Sequence, residues 1–302
     1  MLTGSVVVSC YNQEDYIEEC LDSILSQEIN FQCEVIVSDD CSTDCTQERL
    51  RDYSDRHPGR IKLLLRDKNV GAALNYHGVH KMASGDVVYH FDGDDVMLPG
   101  KLQQQYDIFE EIPDVNVVFH KAVYFSDDNS YFSETQFPNA DTEMVSLISL
   151  HEMARWGAIA VHSSYAYRRA SRRAMIDREF MEWFFVIDSL LPDKQAAYIN
   201  APLVRYRCNL SAGSYLSTTA GKIKSYGIYL NDLYGYFNSQ PDLRTDIYSN
   251  FLVTFIAMAR STHKCTAKSL MFLFRNLHCF RLQKVIDTVN VRKRVGPENK
   301  VR

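Results

Sequence analysis

The sequence predicts an α/β fold: a mostly parallel sheet flanked by helices, with a helical extension at the C-terminal end. Three observations carry this. Short apolar runs alternate with one-faced helical stretches three times within the first hundred residues. Polar clusters sit at the carboxyl ends of these runs, where open α/β sheets bind ligands. From Lys222 onward the apolar spacing is helical almost to the end.

The elements follow in order. "SVVVS" (5–9) has the character of a buried strand, and in "EDYIEECLDSILSQ" residues Ile17, Cys20, Leu21, Ile24 and Leu25 form one helical face. "CEVIVSDD" is a second strand, "CSTD" a turn, and "CTQERLRDYSDRH" a helix ending before Pro58. "RIKLLLRD" is a third strand, followed by the turn "KNVG" and a helix to about Lys81. "SGD" then breaks that helix before the strand "VVYHF". Strand–helix repetition of this kind implies parallel strands with right-handed crossovers. Further on, 115–128 and 158–169 are expected as strands, 129–144 as a loop, 178–191 as a helix and 196–208 as an extended segment. The helical end is broken at "NSQPD" and near "THKCT". The change of charge and period near 215–222 marks a boundary between a main domain, 1–215, and a basic helical region, 216–302.

Composition narrows the class. With 302 residues, 46% hydrophobic and 24% charged, the chain can bury a large core. No run of about 18 apolar residues predicts a membrane span. The start carries acidic residues where a secretion signal would need basic and then apolar ones. Eight cysteines without framework spacing suit reduced thiols, so a cytoplasmic location is expected. Cys41 and Cys45 lack a second ligand pair for zinc. From Arg260 the chain has eleven Lys/Arg against two acids, net +9, which leaves −14 for residues 1–259. That acidic bulk excludes nucleic acid as a partner, whereas the tail attracts polyanions.

The densest chemistry lies in "FDGDD" (91–95), where Asp92, Asp94 and Asp95 crowd the end of the fourth strand. Like charges this close raise one another's pKa unless a cation neutralises them. Carboxylates suit Mg²⁺ or Mn²⁺, which complete their shells with water and phosphate oxygens. Gly93 lets a ligand approach the backbone closely. The competing reading is a solvated turn in which Asp95 caps the next element.

"VVVSCYNQEDYIEECLDSILSQ", "EVIVSDDCSTDCT", "NVGAALNYHGVHKMASGDVVYHFDGDD" and "MLPGKLQQQ" together resemble the family 2 glycosyltransferases of GT-A fold, in order and spacing, from about Ser5 to Gln105. A D-x-D triplet alone would be weak; four ordered blocks ending in one are specific. The resemblance implies an inverting glycosyltransferase that moves a sugar from a nucleoside diphosphate sugar, with a UDP-sugar as the default donor. The acceptor implied is a hydroxyl of a glycan or lipid-linked oligosaccharide, as in bacterial-type surface polysaccharide assembly. Cys10, Tyr11, Asn12 and Glu14 would line the base and ribose, Asp39 would accept a hydrogen bond from the base, and Asn69 and Gly71 would lie near the nucleotide. Asp92 would hold ribose or metal and Asp94 would be the main Mn²⁺ or Mg²⁺ ligand, with Asp95 behind it. The general base would be Glu182, the acid before Trp183 ahead of Tyr198–Ile199, with Asp188 in reserve; Glu179 is the third acid on that stretch. Two positions depart from the family pattern: Leu74 replaces an arginine, and Cys208–Asn209 stand where a histidine often follows "YR". Arg207 and Asn209 could each meet a phosphate or simply support the strand. His162, with Ser163 and Ser164, falls on the implied acceptor side; His90 and His120 read as structural.

The tail, "SLMFLFRNLHCFRLQKVIDTVNVRKR", has two readings: a basic amphipathic surface for the inner face of an anionic membrane, or helices packed on the main domain. Two other functions compete. A sugar-1-phosphate nucleotidyltransferase would need a Gly-rich basic loop, and "SCYNQEDY" has neither glycine nor lysine. A non-catalytic glycan-binding scaffold would retain the fold without a working base.

Overall fold

The computed structural model describes residues 1–126, 131–137, 143–172, 178–208 and 218–295. The first half is β1 (Gly4–Cys10), α1 (Ile17–Leu25), β2 (Cys33–Asp39), α2 (Thr46–Arg56), β3 (Lys62–Leu65), α3 (Ala72–Met82) and β4 (Val87–Asp92). Four strands and three crossover helices appear where the alternating periods place them. Then come β5 (Val96–Met97), α4 (Lys101–Glu111), β6 (Val115–Phe125), β7 (Tyr131–Glu134), β8 (Val145–Ser149), α5 (Leu150–Trp156), β9 (Ala166–Arg168), α6 (Glu182–Leu190) and β10 (Gln195–Arg207). The chain closes with α7 (Thr219–Ser239), α8 (Arg244–Thr262), α9 (Ala267–Arg275) and α10 (Leu282–Val295).

The strands form a ten-stranded sheet in the order β3-β2-β1-β4-β9-β6-β10-β5, with β7 beside β6 and β8 beside β10. Its long ladders are parallel: β1 with β2 and β4, β2 with β3, and β6 with β10. The short strands β5, β7, β8 and β9 pair antiparallel. Alternation along the buried strands divides the core between the two faces. Val6, Val8, Tyr89 and Phe91 pack with Ile17, Leu21 and Phe109 on one side. Val7, Ile36 and Val88 pack with Val79 on the other, in a cluster that runs on through Trp183 and Tyr198 to Leu233, Ile247, Phe251 and Val291. The C-terminal helices therefore share a hydrophobic core with one face of the sheet.

Polar contacts reinforce that junction. Asp246 of α8 is fully buried and meets Arg155 at 2.9 Å, Lys284 at 2.8 Å and His151 at 2.9 Å. Arg292 donates to the Trp156 carbonyl and to the Thr254 hydroxyl, both at 2.9 Å. Two cations of the basic tail are thus spent inside the molecule.

Four expectations need correction. The stretch 158–169 is not one strand: His162–Ser164 forms a 3-10 turn and only Ala166–Arg168 pairs. The Ser164 hydroxyl closes that turn by donating to the Val161 carbonyl at 2.6 Å, the local bond by which serine competes with a ladder. The loop expected over 129–144 contains the strand β7, Tyr131–Glu134. The helix expected from 178 begins at Glu182. Ser163 and Ser164 are fully buried, and Ser163 accepts the Asp92 N–H at 2.9 Å, so neither hydroxyl faces an acceptor.

Candidate active site

Parallel pairing brings the strand ends together. Cys10 is opposite Asp39, and Ser9 is opposite Asp92, so β1, β2 and β4 deliver their polar residues to one edge. The loop after β1 is tied to the one after β2. Asn12, in the left-handed region that asparagine tolerates (φ 53°), accepts from Thr43 N at 2.8 Å and donates its own N–H to the Ser42 hydroxyl at 2.9 Å. Glu14 accepts from Cys45 N at 2.9 Å and donates its N–H to Asp44 at 3.2 Å. Tyr11 remains exposed.

Asp39 is fully buried and accepts from Ser42 N at 2.9 Å, from Gln47 Nε2 at 2.7 Å and from the Ser42 hydroxyl. A further donor from a ligand would have to displace one of these, most simply the rotatable Ser42 hydroxyl. Asp40 orders the neighbouring turn: it accepts from Val70 N at 2.8 Å and Gly71 N at 2.9 Å, while Asn69 donates to its carbonyl at 3.0 Å. Gly71 has φ 89°, which a side chain would strain. Leu74 is exposed nearby in sequence.

At "FDGDD" the close approach permitted by Gly93 is to the protein itself. An added Cβ would lie 3.0 Å from both Cys10 Cβ and Ile17 Cδ1 and would collide with the Gln13 amide. Asp95 is buried and accepts Arg207 N at 2.7 Å. Burial, followed by the like charges of Asp94 and Asp92, pushes its carboxyl well above the usual range. Arg207 is also buried: it donates to the Asp94 carbonyl at 2.8 Å, meets Glu19 at 3.0 Å, and lies over the Tyr16 and Phe125 rings at 4.3 and 4.4 Å. Of its two readings, the geometry is that of a clamp joining β10 to the acidic turn. Asn209 lies outside the described residues.

The side chain of Asp92 has partners on both flanks. One oxygen faces His90 Nε2 at 3.2 Å and the other faces His162 Nδ1 at 3.5 Å, while the far nitrogen of His162 contacts Glu182. Behind His90 the chain continues to His80 at 3.1 Å, which meets Tyr167 OH at 2.8 Å and Arg172 at 3.2 Å. A guanidinium can only donate, so His80 Nδ1 must accept. With both rings neutral, His80 Nε2–H then donates to His90 Nδ1, and His90 Nε2–H donates to Asp92. Burial, then the Arg172 charge, pushes His80 well down, and burial lowers His90 against the pull of Asp92. Burial alone would raise Asp92, but the facing His162 and His90 hold its carboxyl well below the usual range.

Glu182 is the first residue of α6 and lines a small cleft of about 40 Å³ with Phe119, Met153, His162, Tyr165 and Val186. Asp188 is buried on the same helix, away from this cleft and beside Tyr236 of α7. The structure thus joins Glu182 to Asp92 through one imidazole and leaves Asp188 elsewhere. Sequence reasoning missed His80 and Arg172 here and gave His162 no link to the acids, whereas His90, expected to be structural, is buried with both ring nitrogens bonded. The contact between His80 and Arg172 spans 92 residues, and no local spacing signals it.

Donor atoms of His90, Asp92 and His162 lie within 4.8 Å of one another, a group of the size that encloses a divalent ion. The proton order set by Arg172 commits His90 to Asp92. That leaves Asp92 and His162 of this group as one oxygen and one nitrogen donor, a pair that suits Mn²⁺.

Known proteins share parts of this architecture. The chain is 35% identical over 135 residues to an uncharacterized protein of Mycobacterium tuberculosis (44% of this chain, 38% of the relative). It is 28% identical over 180 residues to an uncharacterized glycosyltransferase of Nostoc (59% and 55%). It is 22% identical over 241 residues to GgaA, a minor teichoic acid biosynthesis protein of Bacillus subtilis (76% and 52%). The chain therefore spans between about four-tenths and just over half of these relatives. Among solved structures, residues 1–349 of S. aureus TarS in complex with UDP-GlcNAc align with TM-score 0.65 at 18% identity, covering 97% of this chain and 82% of that one. The mannosyltransferase PcManGT of Pyrobaculum calidifontis, in complex with GDP-Man and Mn²⁺, aligns with TM-score 0.59 at 17% identity (96% and 84%). These likenesses bear out the GT-A fold. The model of glycosyl transferase family 2 matches residues 5–180, more than half of the chain, and the protein belongs to that family.

Proposed function

We propose that this glycosyltransferase moves a sugar, with inversion, from a nucleoside diphosphate sugar to a hydroxyl of a glycan or lipid-linked saccharide in surface polysaccharide assembly. The observation that carries the reading is the placement of Glu182 in a small cleft, one imidazole away from Asp92 of the acidic turn. A single inverting displacement needs a base on the face opposite the leaving group. In this reading Glu182 takes the proton of the acceptor hydroxyl, and His162 positions its carboxylate. Cys10, Tyr11, Asn12, Glu14, Asp39 and Asn69 border the nucleotide, and Arg207 holds the acidic turn in place. Asp94 and Asp92 would hold Mn²⁺ or Mg²⁺, which when bound supplies charge stabilisation to the departing diphosphate. A UDP-sugar is the favoured donor, in keeping with the UDP-GlcNAc complex of TarS, and the name of GgaA favours a polymer acceptor of the teichoic acid type.

The test is a thermal-shift panel of UDP, GDP, dTDP and CDP, with and without Mn²⁺, on the wild type and Asp94→Ala. A nucleotide at a hundred times its dissociation constant stabilises by about 2.7 kcal/mol. One base should do this only with metal, and Asp94→Ala should abolish it. If no nucleotide stabilises the wild type under any condition, the donor reading fails.

A further inference from the structure

We infer that the outer surface of α9, the turn after it and the start of α10 docks on an anionic lipid bilayer. Among the described residues sixteen large hydrophobics are exposed, and seven of them fall between Leu270 and Ile286. Phe274 is 76% exposed, Leu282 62% and Leu277 61%, values that packing against the body of the protein does not explain. The inner face of the same helix is fully used. Phe272 packs tilted against Phe251 and edge-on to Phe237, and Tyr248 OH donates to the Leu273 carbonyl at 3.1 Å. Leu270, Met271 and Phe274 share the opposite face at i, i+1 and i+4, and Leu282 and Ile286 lie one turn apart on α10. The packed reading of the tail describes its inner face, and the membrane reading is here inferred for its outer face.

Charge selects the occupant. Between His263 and Ile286 there are five cations (Lys264, Lys268, Arg275, Arg281 and Lys284) and no acid. Lys284 is committed to Asp246, which leaves four exposed cations in the same stretch; Lys268 lies over the Tyr234 ring at 5.0 Å and Arg281 donates to the His278 and Phe280 carbonyls. A strip of Phe, Leu and Met interspersed in sequence with cations matches the boundary between acyl chains and anionic headgroups. A second copy of the same face would set these cations against each other. No described helix is long and apolar enough to cross a membrane, so the geometry is that of lying on the surface.

The experiment is co-sedimentation of the full chain with vesicles of phosphatidylcholine alone or mixed with phosphatidylglycerol, at low and high salt. The wild type should bind the anionic vesicles, and binding should fall as salt rises. Phe274→Glu combined with Leu277→Glu should weaken it by at least about tenfold, with the melting temperature and nucleotide binding unchanged. Lys268→Gln with Arg275→Gln and Arg281→Gln should weaken it at low salt and flatten the salt dependence. Equal binding by wild type and variants overturns the inference. So does a wild-type dimer in light scattering that the apolar double variant converts to monomer, since the surface would then join copies of the chain.

Discussion

The two flanks of the site are held by different means. On the β1–β4 flank, short neighbouring loops are laced by main-chain N–H groups that donate to side-chain oxygens: those of 43 and 45 to Asn12 and Glu14, and those of Val70 and Gly71 to Asp40. On the opposite flank, His162 and Glu182 come from a 3-10 turn and a helix start and meet through side chains alone. Main-chain lacing preorganises a binding surface, whereas converging side chains can be altered singly without disturbing the backbone. Substitutions on the first flank should therefore change affinity, and those on the second should change turnover.

The largest effect should come from Glu182→Gln. Removing a general base typically costs 10²- to 10⁴-fold in kcat, about 3–5 kcal/mol in the barrier, while nucleotide affinity stays at the wild-type value. The change is isosteric and keeps an acceptor oxygen for His162. Equal loss of nucleotide affinity would show that the two flanks are not separable. His162→Ala sharpens the comparison: a larger loss in kcat than in nucleotide affinity marks the imidazole as positioning Glu182, and the reverse ranking assigns it to Asp92.

A stability effect of comparable size is expected at Asp246. Its carboxylate is wholly buried and joins α5, α8 and α10 through Arg155, His151 and Lys284. Asp246→Ala strands these cations around a buried site and should destabilise by about 3–5 kcal/mol in urea unfolding. Because the same core continues under the sheet, the loss should appear as one lowered transition. A separate early transition of the C-terminal helices, with the sheet unaffected, would mark them as an independent unit.

The first flank was legible because its signals are contiguous: β-branched strands, paired acids at their ends, and an ordered set of blocks. The second was not, because its contacts join residues far apart in sequence. Helix α4 escaped for another reason. Its core-facing positions include Lys101 and Gln105, both fully buried, so the apolar period is broken where it matters. Gln105 repays its burial by donating to the Val118 and Ser164 carbonyls, at 3.2 and 2.9 Å. Lys101 lies 5.3 Å from the Phe91 ring centroid, and burial brings its ammonium down to about 7. Leu74 and Cys208 were visible as departures from the family pattern, yet their consequence depends on where a phosphate sits.

The smallest effect concerns the other edge of the first flank. Glu34 on β2 accepts from Ser5 Oγ at 2.6 Å, from Ser84 N at 2.8 Å and Oγ at 2.7 Å, and from Lys62 at 2.6 Å. Burial would raise its carboxyl, but Lys62 and the serines bring it down to about 2. A depressed carboxylate adds stability that is fully present above its ordinary range near 4.5 and is lost as pH falls through the folded value. The pair is partly screened by solvent, so roughly 1–3 kcal/mol is expected at neutral pH. Glu34→Gln should lower the unfolding free energy measured in urea by that amount at pH 7, and the gap to wild type should shrink by roughly a third by pH 3.5. A gap that stays flat across this window would mean that Glu34 contributes through packing, not charge. The flank would then owe its rigidity to the main-chain lacing at the carboxyl edge alone.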